Sequence, residues 1–429
     1  MKAILVKLKK SMYFYVAGYF GFFAAKVLKK WHPKVIVVTG SSGKTTALNM
    51  LEAQLGDKAV FSHHANSAIG VPFHILGMKG VQESRREWIG LLLKAPFKSR
   101  KVVHKADIYV VEADADRPRE GEFLAKLLKP MITVWVSSSR THSVNYESLV
   151  HKGVHKTLEE AIATEYAHFA DYTAKLLITD GDNPNIKAAL QNKKVEIKYI
   201  YHKEAIEDYR ISAGESMVTI AGQHTYMFKQ PQPPVISYQV AFVDEVLKLL
   251  EVEPDYSFSR LEFPPGRSRV FKSSIGFTIV DSSYNANFDS MSAMLLMFSK
   301  YPGDKKILVL GDMLEQGGNE EAEHKKLADL VLNIGFKPNQ VILLGPRVKR
   351  YTFPILRDEM PTVPVSVFVN PHDVLDYIRA ELQGDEVVLF KGARFLEGVI
   401  EKLLADPQDA QYLARRENIW RKRRAEWGL

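Results

Sequence analysis

The 429-residue sequence contains no cysteine. That excludes disulfides, thiolate-bound zinc, iron–sulfur clusters and a thiol nucleophile. It also lacks a long apolar run. The uncharged stretch Ser11 to Ala25 (SMYFYVAGYFGFFAA) falls short of the ~20 residues a membrane-spanning helix needs. No G-x-G-x-x-G turn accompanies a strand pattern, so a dinucleotide is not implied. Nothing in the composition suggests disorder, a collagen-like chain or a repeat array.

What remains is a globular composition. Hydrophobic residues make up 46%, enough for sizeable cores, and the length implies two or three domains. The net charge of +8 suits polyanionic partners such as nucleotides, a nucleotide-linked substrate, anionic lipid or nucleic acid. The excess is concentrated at the two ends of the chain. Lys2, Lys7, Lys9 and Lys10 precede the aromatic stretch, and Lys26, Lys29 and Lys30 follow it. Two readings fit residues 1–30. One is an interfacial helix with lysines at the headgroups. The other is a helix packed on its own protein or on a partner. No A-x-A cleavage site follows, and a nucleotide motif does, so the expected location is cytoplasmic, at the inner membrane face in the first reading.

Beyond Pro33 the pattern is α/β. Lys34–Val38, Ile108–Glu112, Ile132–Val136 and Leu176–Thr179 read as buried strands separated by helices, a mostly parallel sheet. Val195–Tyr201 and Met217–Phe228 read as strands of a smaller antiparallel element, Val240–Leu250 as a helix and Glu251–Asp255 as a linker. A second alternation follows: Thr278–Asp281, Lys306–Leu310, Val341–Leu344, Val365–Val369 and Glu386–Phe390, five strands of a Rossmann-like sheet.

The most specific local signal is Thr39-Gly-Ser-Ser-Gly-Lys-Thr-Thr46, which follows a strand and opens a helix, as a phosphate loop must. Gly40 and Gly43 let backbone N–H groups reach phosphate oxygens, with Ser41, Ser42 and Thr46 in the same cradle. Lys44, expected as a solvent-facing charge, reaches the outer phosphates, and the Thr45 hydroxyl can ligate Mg²⁺. Glu112, ending a strand beside this loop, stands where a metal-binding carboxylate is needed.

Val38 stands where general phosphate loops have glycine, and this shortened form resembles the loop of the Mur ligases and their folylpolyglutamate synthetase relatives. Further motifs follow in that family's order: Asn66-Ser-Ala-Ile-Gly-Val-Pro72, Asp180-Gly-Asp-Asn-Pro184, Pro265-Gly-Arg267, Asp281-Ser-Ser-Tyr-Asn-Ala-Asn287, Leu310-Gly-Asp-Met-Leu-Glu315 with His324, and Lys391-Gly-Ala-Arg394. The later ones are most similar to the branch that adds a D-alanyl-D-alanine dipeptide. The resemblance implies an ATP- and Mg²⁺-dependent ligase that activates a carboxylate as an acyl phosphate and joins it to an amino acid or dipeptide in cell-wall peptide synthesis. It implies Lys44, Glu112, His142 and Arg267 as catalytic residues, and Thr45, Glu112 and His142 at the metal. Arg267, Asp281 and Asn285 would join the loop on ATP, and Asn66, Asn287, Lys391 and Arg394 would face substrate. The partners would be a small-molecule or peptide precursor and an amine, with no nucleic acid.

The chain also departs from the family. Only about 32 residues precede the nucleotide strand, so the usual domain for the uridine-diphosphate part of the substrate is expected to be missing. Tyr166, or Glu165, stands where a carbamylated lysine is usual, with Glu165 a possible substitute carboxylate. No adenine-side motif is recognisable between Pro231 and Leu250, and Phe288 replaces a proline. The basic tail Arg415–Trp427 reads as a solvated helix or a polyanion contact. The expected organisation is an N-terminal helix (1–32), a central phosphate-loop domain with a mostly parallel sheet (33–252) and a C-terminal Rossmann-like domain (253–429). The alternatives are a related ligase with another acceptor, such as a pseudomurein or polyglutamate precursor, or a non-catalytic ATP-binding scaffold.

Overall fold

The computed structural model describes residues 2–63, 65–79, 85–140, 143–222, 224–314, 319–393 and 395–429. The chain forms two compact units, Met1–Ile206 with Tyr238–Leu261, and Glu207–Ser237 with Glu262–Leu429.

In the first unit, β-branched runs form a six-stranded sheet, buried on both faces at its centre as parallel sheets are. Its strands are β1 (Lys34–Thr39), β2 (Ala59–Phe61), β3 (Ile108–Ala113), β4 (Ile132–Trp135), β5 (Leu176–Asp180) and β6 (Glu196–Ile200), in the order β2-β3-β1-β4-β5-β6. Every pairing is parallel. Val195–Tyr201, expected in an antiparallel element, is instead the parallel edge β6. Alternation of burial marks an edge strand, and its direction is set by the helix Pro184–Leu190 that carries the chain back across the sheet. The chain moves to one side after β1 and to the other after β4. The carboxyl edge between these two strands is therefore the topological switch point, the usual ligand position in such sheets.

The helices α1 (Lys2–Trp31), α2 (Lys44–Leu55), α3 (Gly70–Ile75), α4 (Arg85–Lys101) and α5 (Glu120–Leu128) cover the part of this sheet that matters for the site. α1 packs on α3, α4 and α5. Ala17, Phe20, Ala24 and Val27 lie on its inward face and are buried in the core with Phe73, Leu91 and Val111. The Phe20 ring meets Phe73 edge-on at 4.6 Å. The Tyr13 hydroxyl donates to Glu120 Oε1 at 2.8 Å, and the Arg117 guanidinium sits 4.0 Å from the Tyr13 ring centroid. One face of the aromatic stretch is therefore protein core. Among the described residues no helix is long and apolar enough to cross a membrane.

The second unit holds a small sheet of β7 (Ile206–Ile211), β8 (Ser216–Ile220) and β9 (Thr225–Phe228), and a larger one of β10 (Arg269–Lys272), β11 (Thr278–Ser282), β12 (Lys306–Gly311), β13 (Gln340–Leu344), β14 (Val365–Phe368) and β15 (Val387–Lys391). The larger sheet runs β10-β11-β15-β12-β13-β14. It has six strands rather than the expected five, because the short β10 pairs antiparallel on β11. Helices Phe288–Lys300 and Glu320–Leu332 bury one face, and Pro371–Glu381 and Leu396–Glu401 the other.

Docking of α1 gives a testable asymmetry. Phe20→Ala empties a core position and should destabilise the first unit by about 3–5 kcal/mol. Phe22→Ala, on a side chain 58% exposed, should change stability by less than about 0.5 kcal/mol. Urea unfolding followed through Trp88, whose ring lies 6.4 Å from Phe20, measures both. Equal effects would mean that α1 does not dock as described.

Candidate active site

The loop after β1 takes a shape that only glycine permits at two points. Gly40 has φ 128°, and a Cβ there would lie 2.7 Å from the Ser137 carbonyl. Gly43 has φ 87°, and a Cβ there would meet the Gln239 side-chain amide at 2.7 Å. The segment after β4 holds the loop in place. Ser41 N–H donates to Ser137 O, Ser42 N–H donates to Ser137 Oγ at 2.9 Å, and Ser41 Oγ donates to Ser139 O at 2.9 Å. Asn183 of the D-G-D-N-P turn donates from Nδ2 to Ser138 O and caps the helix Pro184–Leu190. The loop thus leads into the N-terminus of α2, whose free N–H groups favour an anion.

Lys44 is not solvent-facing. It is the first residue of α2, 7% exposed, with Nζ 3.1 Å from Asp114 Oδ2 and 2.5 Å from the Gly40 carbonyl. An ammonium this buried needs a counter-charge, and Asp114, on the segment leaving β3, supplies it. Asp114 is itself positioned. Its N–H donates to Asn66 O, and its Oδ1 accepts from the Tyr166 hydroxyl at 3.1 Å. Asp114 escaped sequence analysis because it lies just past the end of β3, where Glu112 had already been read as the strand's functional acid; the two acids alternate along the chain. The alternation itself was the signal, since every second side chain shares a face.

Thr45 Oγ1 donates to Glu112 Oε2 at 3.0 Å, and Ser62 Oγ holds the Glu112 N–H. Glu112 pairs in register with Val38, two residues before Gly40. A half-buried carboxylate and a hydroxyl beside a phosphate loop are the hard oxygen donors that Mg²⁺ takes. Tyr166, where a lysine was expected, binds Asp114. Glu165 is not a substitute carboxylate at this point, because its Oε1 accepts from the N–H groups of Gly121 and Glu122 and caps α5. Asn66 contributes its backbone carbonyl to Asp114. Gln239, on the helix Ile236–Leu250, is 5% exposed, and its Oε1 has no partner among the described residues. It is a further candidate site residue, separated from the loop by nearly 200 positions in sequence, with no local signal. His142 lies outside the described residues.

The second unit gathers its own motif residues at the carboxyl ends of β11, β15 and β12. Asp281 is level with Phe390, and Lys391 with Leu310. Asp281 is fully buried. Its Oδ1 accepts from Ser283 N–H, while Oδ2 has no partner among the described residues. Burial raises its carboxyl to about 6, and the nearby Glu397 adds to the rise. Lys391 donates to Asn285 O at 2.7 Å, and burial together with the Arg267 charge lowers it to about 7. Arg267 stacks near Tyr284, with 5.3 Å to the ring centroid. Asn287 is a helix cap in a capping box with Ser290. His324 accepts from Met313 N–H at Nε2 and so presents Nδ1–H to Glu320 O, a buried structural pairing. Arg394 and Glu315 lie outside the described residues. The basic tail is only partly solvated. Arg415 binds Glu397 and the carbonyls of Ser283 and Tyr284, Arg416 binds Glu401, and Arg424 is buried against both glutamates.

A parallel-sheet unit with a glycine loop opening a helix, and a second α/β unit with buried Asp281 and Lys391 beside half-buried Arg267, fit a nucleotide-using ligase class. Comparison with known proteins agrees. Residues 38–231 match the Mur ligase middle domain and residues 266–394 the Mur ligase glutamate ligase domain. The UDP-N-acetylmuramoyl-tripeptide–D-alanyl-D-alanine ligase of Bacillus subtilis is 23% identical over 406 residues, covering 90% of this chain and 79% of that one. Among solved structures, the MurF ligase of Thermotoga maritima in complex with ADP superposes with a TM-score of 0.71 at 20% identity, covering 90% of this chain and 83% of that one. The folylpolyglutamate synthase of Mycobacterium tuberculosis gives 0.59 at 14% identity, covering 93% and 96%. The chain belongs to the Mur ligase family, and by class it is an ATP-dependent, amide-bond-forming enzyme.

The Lys44–Asp114 pair makes a sharp prediction. Lys44→Ala leaves a buried carboxylate uncompensated and should cost about 3–5 kcal/mol of stability, as well as ATP turnover. Adding Asp114→Asn should restore most of the stability without restoring turnover. Unfolding midpoints and ADP release check the two effects separately, and a double variant no more stable than Lys44→Ala would refute the pairing.

Asp281 yields a pH dependence. In the folded state it keeps its proton up to about pH 6, whereas the unfolded chain loses it near the ordinary value of about 3.9. The folded state then binds more protons, so stability falls as pH rises from about 4 to about 6. Asp281→Asn should flatten that slope in denaturant titrations. An unchanged slope would show that Asp281 does not cause it.

Proposed function

We propose that this ligase forms an amide between a carboxylate precursor and an amino acid or dipeptide, of the D-alanyl-D-alanine-adding type, in cell-wall peptide synthesis. The observation carrying this reading is the phosphate loop whose lysine and threonine are each met by a carboxylate from the adjoining strand, Asp114 for Lys44 and Glu112 for Thr45. In this reading ATP lies along Gly40 to Thr46, and Lys44 turns from Asp114 to the outer phosphates. Thr45 and Glu112 would hold Mg²⁺, which when bound supplies charge neutralisation on the phosphates. A substrate carboxylate oxygen attacks the γ-phosphorus, the bond to the β-bridging oxygen breaks, and ADP leaves. The amine nitrogen then attacks the acyl carbon, phosphate leaves and a proton passes to solvent. In the second unit, Arg267 and Lys391 are the candidate cations for phosphate and acyl-phosphate charge, and Asp281 and Asn285 are candidate nucleotide contacts. Asn66 and Asn287 are candidate substrate contacts, each in its own unit. Catalysis rests on positioning and electrostatic stabilisation.

We also propose peripheral contact of residues 1–30 with the membrane on its cytoplasmic side, supported by the lysines that flank the aromatic stretch.

The reaction is tested by ADP release with muramyl-tripeptide precursor and D-alanyl-D-alanine, alone and together. Release should require both, and a new amide should appear one-for-one with ADP. ADP formation indifferent to the amine would sink the ligase reading. Release with the dipeptide replaced by glutamate, but not with the dipeptide, would reassign the amine.

A further inference from the structure

α4 has two apolar faces. Leu91, Ala95 and, in part, Trp88 and Leu92 turn into the core. Ile89, Leu93 and Phe97, spaced four apart, are 60%, 66% and 63% exposed on the opposite side. Tyr15 and Phe22 form a matching exposed stripe on α1. The two helices run side by side. Tyr19 donates its hydroxyl to the Leu92 carbonyl, and Lys30 reaches the carbonyls of Ser99 and Arg100. The exposed stripes therefore flank one seam. Single exposed apolar residues need no explanation, but a contiguous group on two packed helices does.

The charge carried by the two helices is mostly basic. α1 contains seven lysines and no acid, and α4 contains Arg85, Arg86, Lys94, Lys98, Arg100 and Lys101 against Glu87 alone. Lys26 lies over the Phe22 ring at 4.3 Å, an apolar stem with its charge beside the aromatic patch.

We propose that the α1–α4 face docks on an anionic phospholipid bilayer, with Ile89, Leu93, Phe97, Tyr15 and Phe22 entering the interface and the basic residues meeting the headgroups. This rests on the contact proposed for residues 1–30 and assigns α4 as its second half. An apolar stripe ringed by basic residues is the composition of an interfacial surface. Neither helix is long and apolar enough to span, which keeps the contact in the plane of the membrane. A second copy of the chain fits less well, because a two-fold contact would set these basic rims against each other.

Sedimentation of the full-length protein with vesicles tests this, using phosphatidylcholine alone or mixed equally with phosphatidylglycerol. The wild type should bind the mixed vesicles at low salt, release at high salt and ignore the neutral ones. Leu93→Glu with Phe97→Glu should weaken binding at least about tenfold, since each large side chain buried is worth more than one tenfold step. Tyr15→Glu with Phe22→Glu should do the same. Circular dichroism and ADP release should be unchanged in both pairs, as none of these residues belongs to the site. Undiminished binding of the α4 pair, with loss in the α1 pair, would overturn the α4 assignment and leave the contact of residues 1–30 standing. Failure of the wild type to bind would remove both. Concentration-dependent dimerisation in analytical ultracentrifugation, abolished by the α4 pair and without vesicle binding, would assign the face to a second copy.

Discussion

The buried ammonium of Lys44 is the constraint around which the first unit is organised. A charge held under a glycine loop is tolerated only with a partner, and Asp114 is that partner. Meeting this need fixes several neighbours in turn. Asp114 must leave β3 at a defined height, which its N–H bond to Asn66 secures, and its second oxygen must be held, which Tyr166 does. Glu112, two residues back on the same face, then falls beside Thr45. The paired carboxylates follow from the parallel register of β1 and β3, and the loop's own shape follows from Ser137 to Ser139 beyond β4.

The helix α5 connects this site to α1. Glu120, buried in its first turn, accepts from the Ala68 N–H and the Tyr13 hydroxyl and pairs with Arg117. Burial raises its carboxyl, and the Ala68 bond and Arg117 charge oppose the rise. The segment Asn66–Pro72 is thereby tied at Ala68 to the same carboxylate that receives α1, so the aromatic helix is linked through Glu120 to the segment that holds Asp114. In the second unit the corresponding tie is the C-terminal tail. Arg415 holds the carbonyls of Ser283 and Tyr284 while resting on buried Glu397, which steadies the loop that follows Asp281 and carries Asn285.

Local chemistry was legible in the sequence wherever one short segment carried it. The phosphate loop needs glycines at Gly40 and Gly43 and a helix starting at Lys44, all within eight residues, and the structure places them so. The buried strands were equally plain, because fully buried parallel strands are written as unbroken β-branched runs. Edge strands were less uniform: Val365–Val369 was read in place as the edge β14, whereas two others were not plain. β6 alternates polar and apolar residues as an antiparallel strand would, and β10 is too short to stand out.

What the sequence by itself determined is the α/β architecture, the glycine loop between β1 and α2 and the residue types at the strand ends. Each depends on periodicity or on backbone conformations confined to neighbouring residues. Tertiary structure alone decided which side chain answers which. Lys44 faces Asp114 rather than solvent, Glu165 caps α5 rather than filling the place of a lysine, Asn287 caps a helix, and Gln239 arrives over Gly43 from far along the chain. The inward and outward faces of α1 likewise depend on where α3, α4 and α5 lie. Pairings of this kind come from strand register and helix docking, which join residues distant in sequence and leave no local pattern to read.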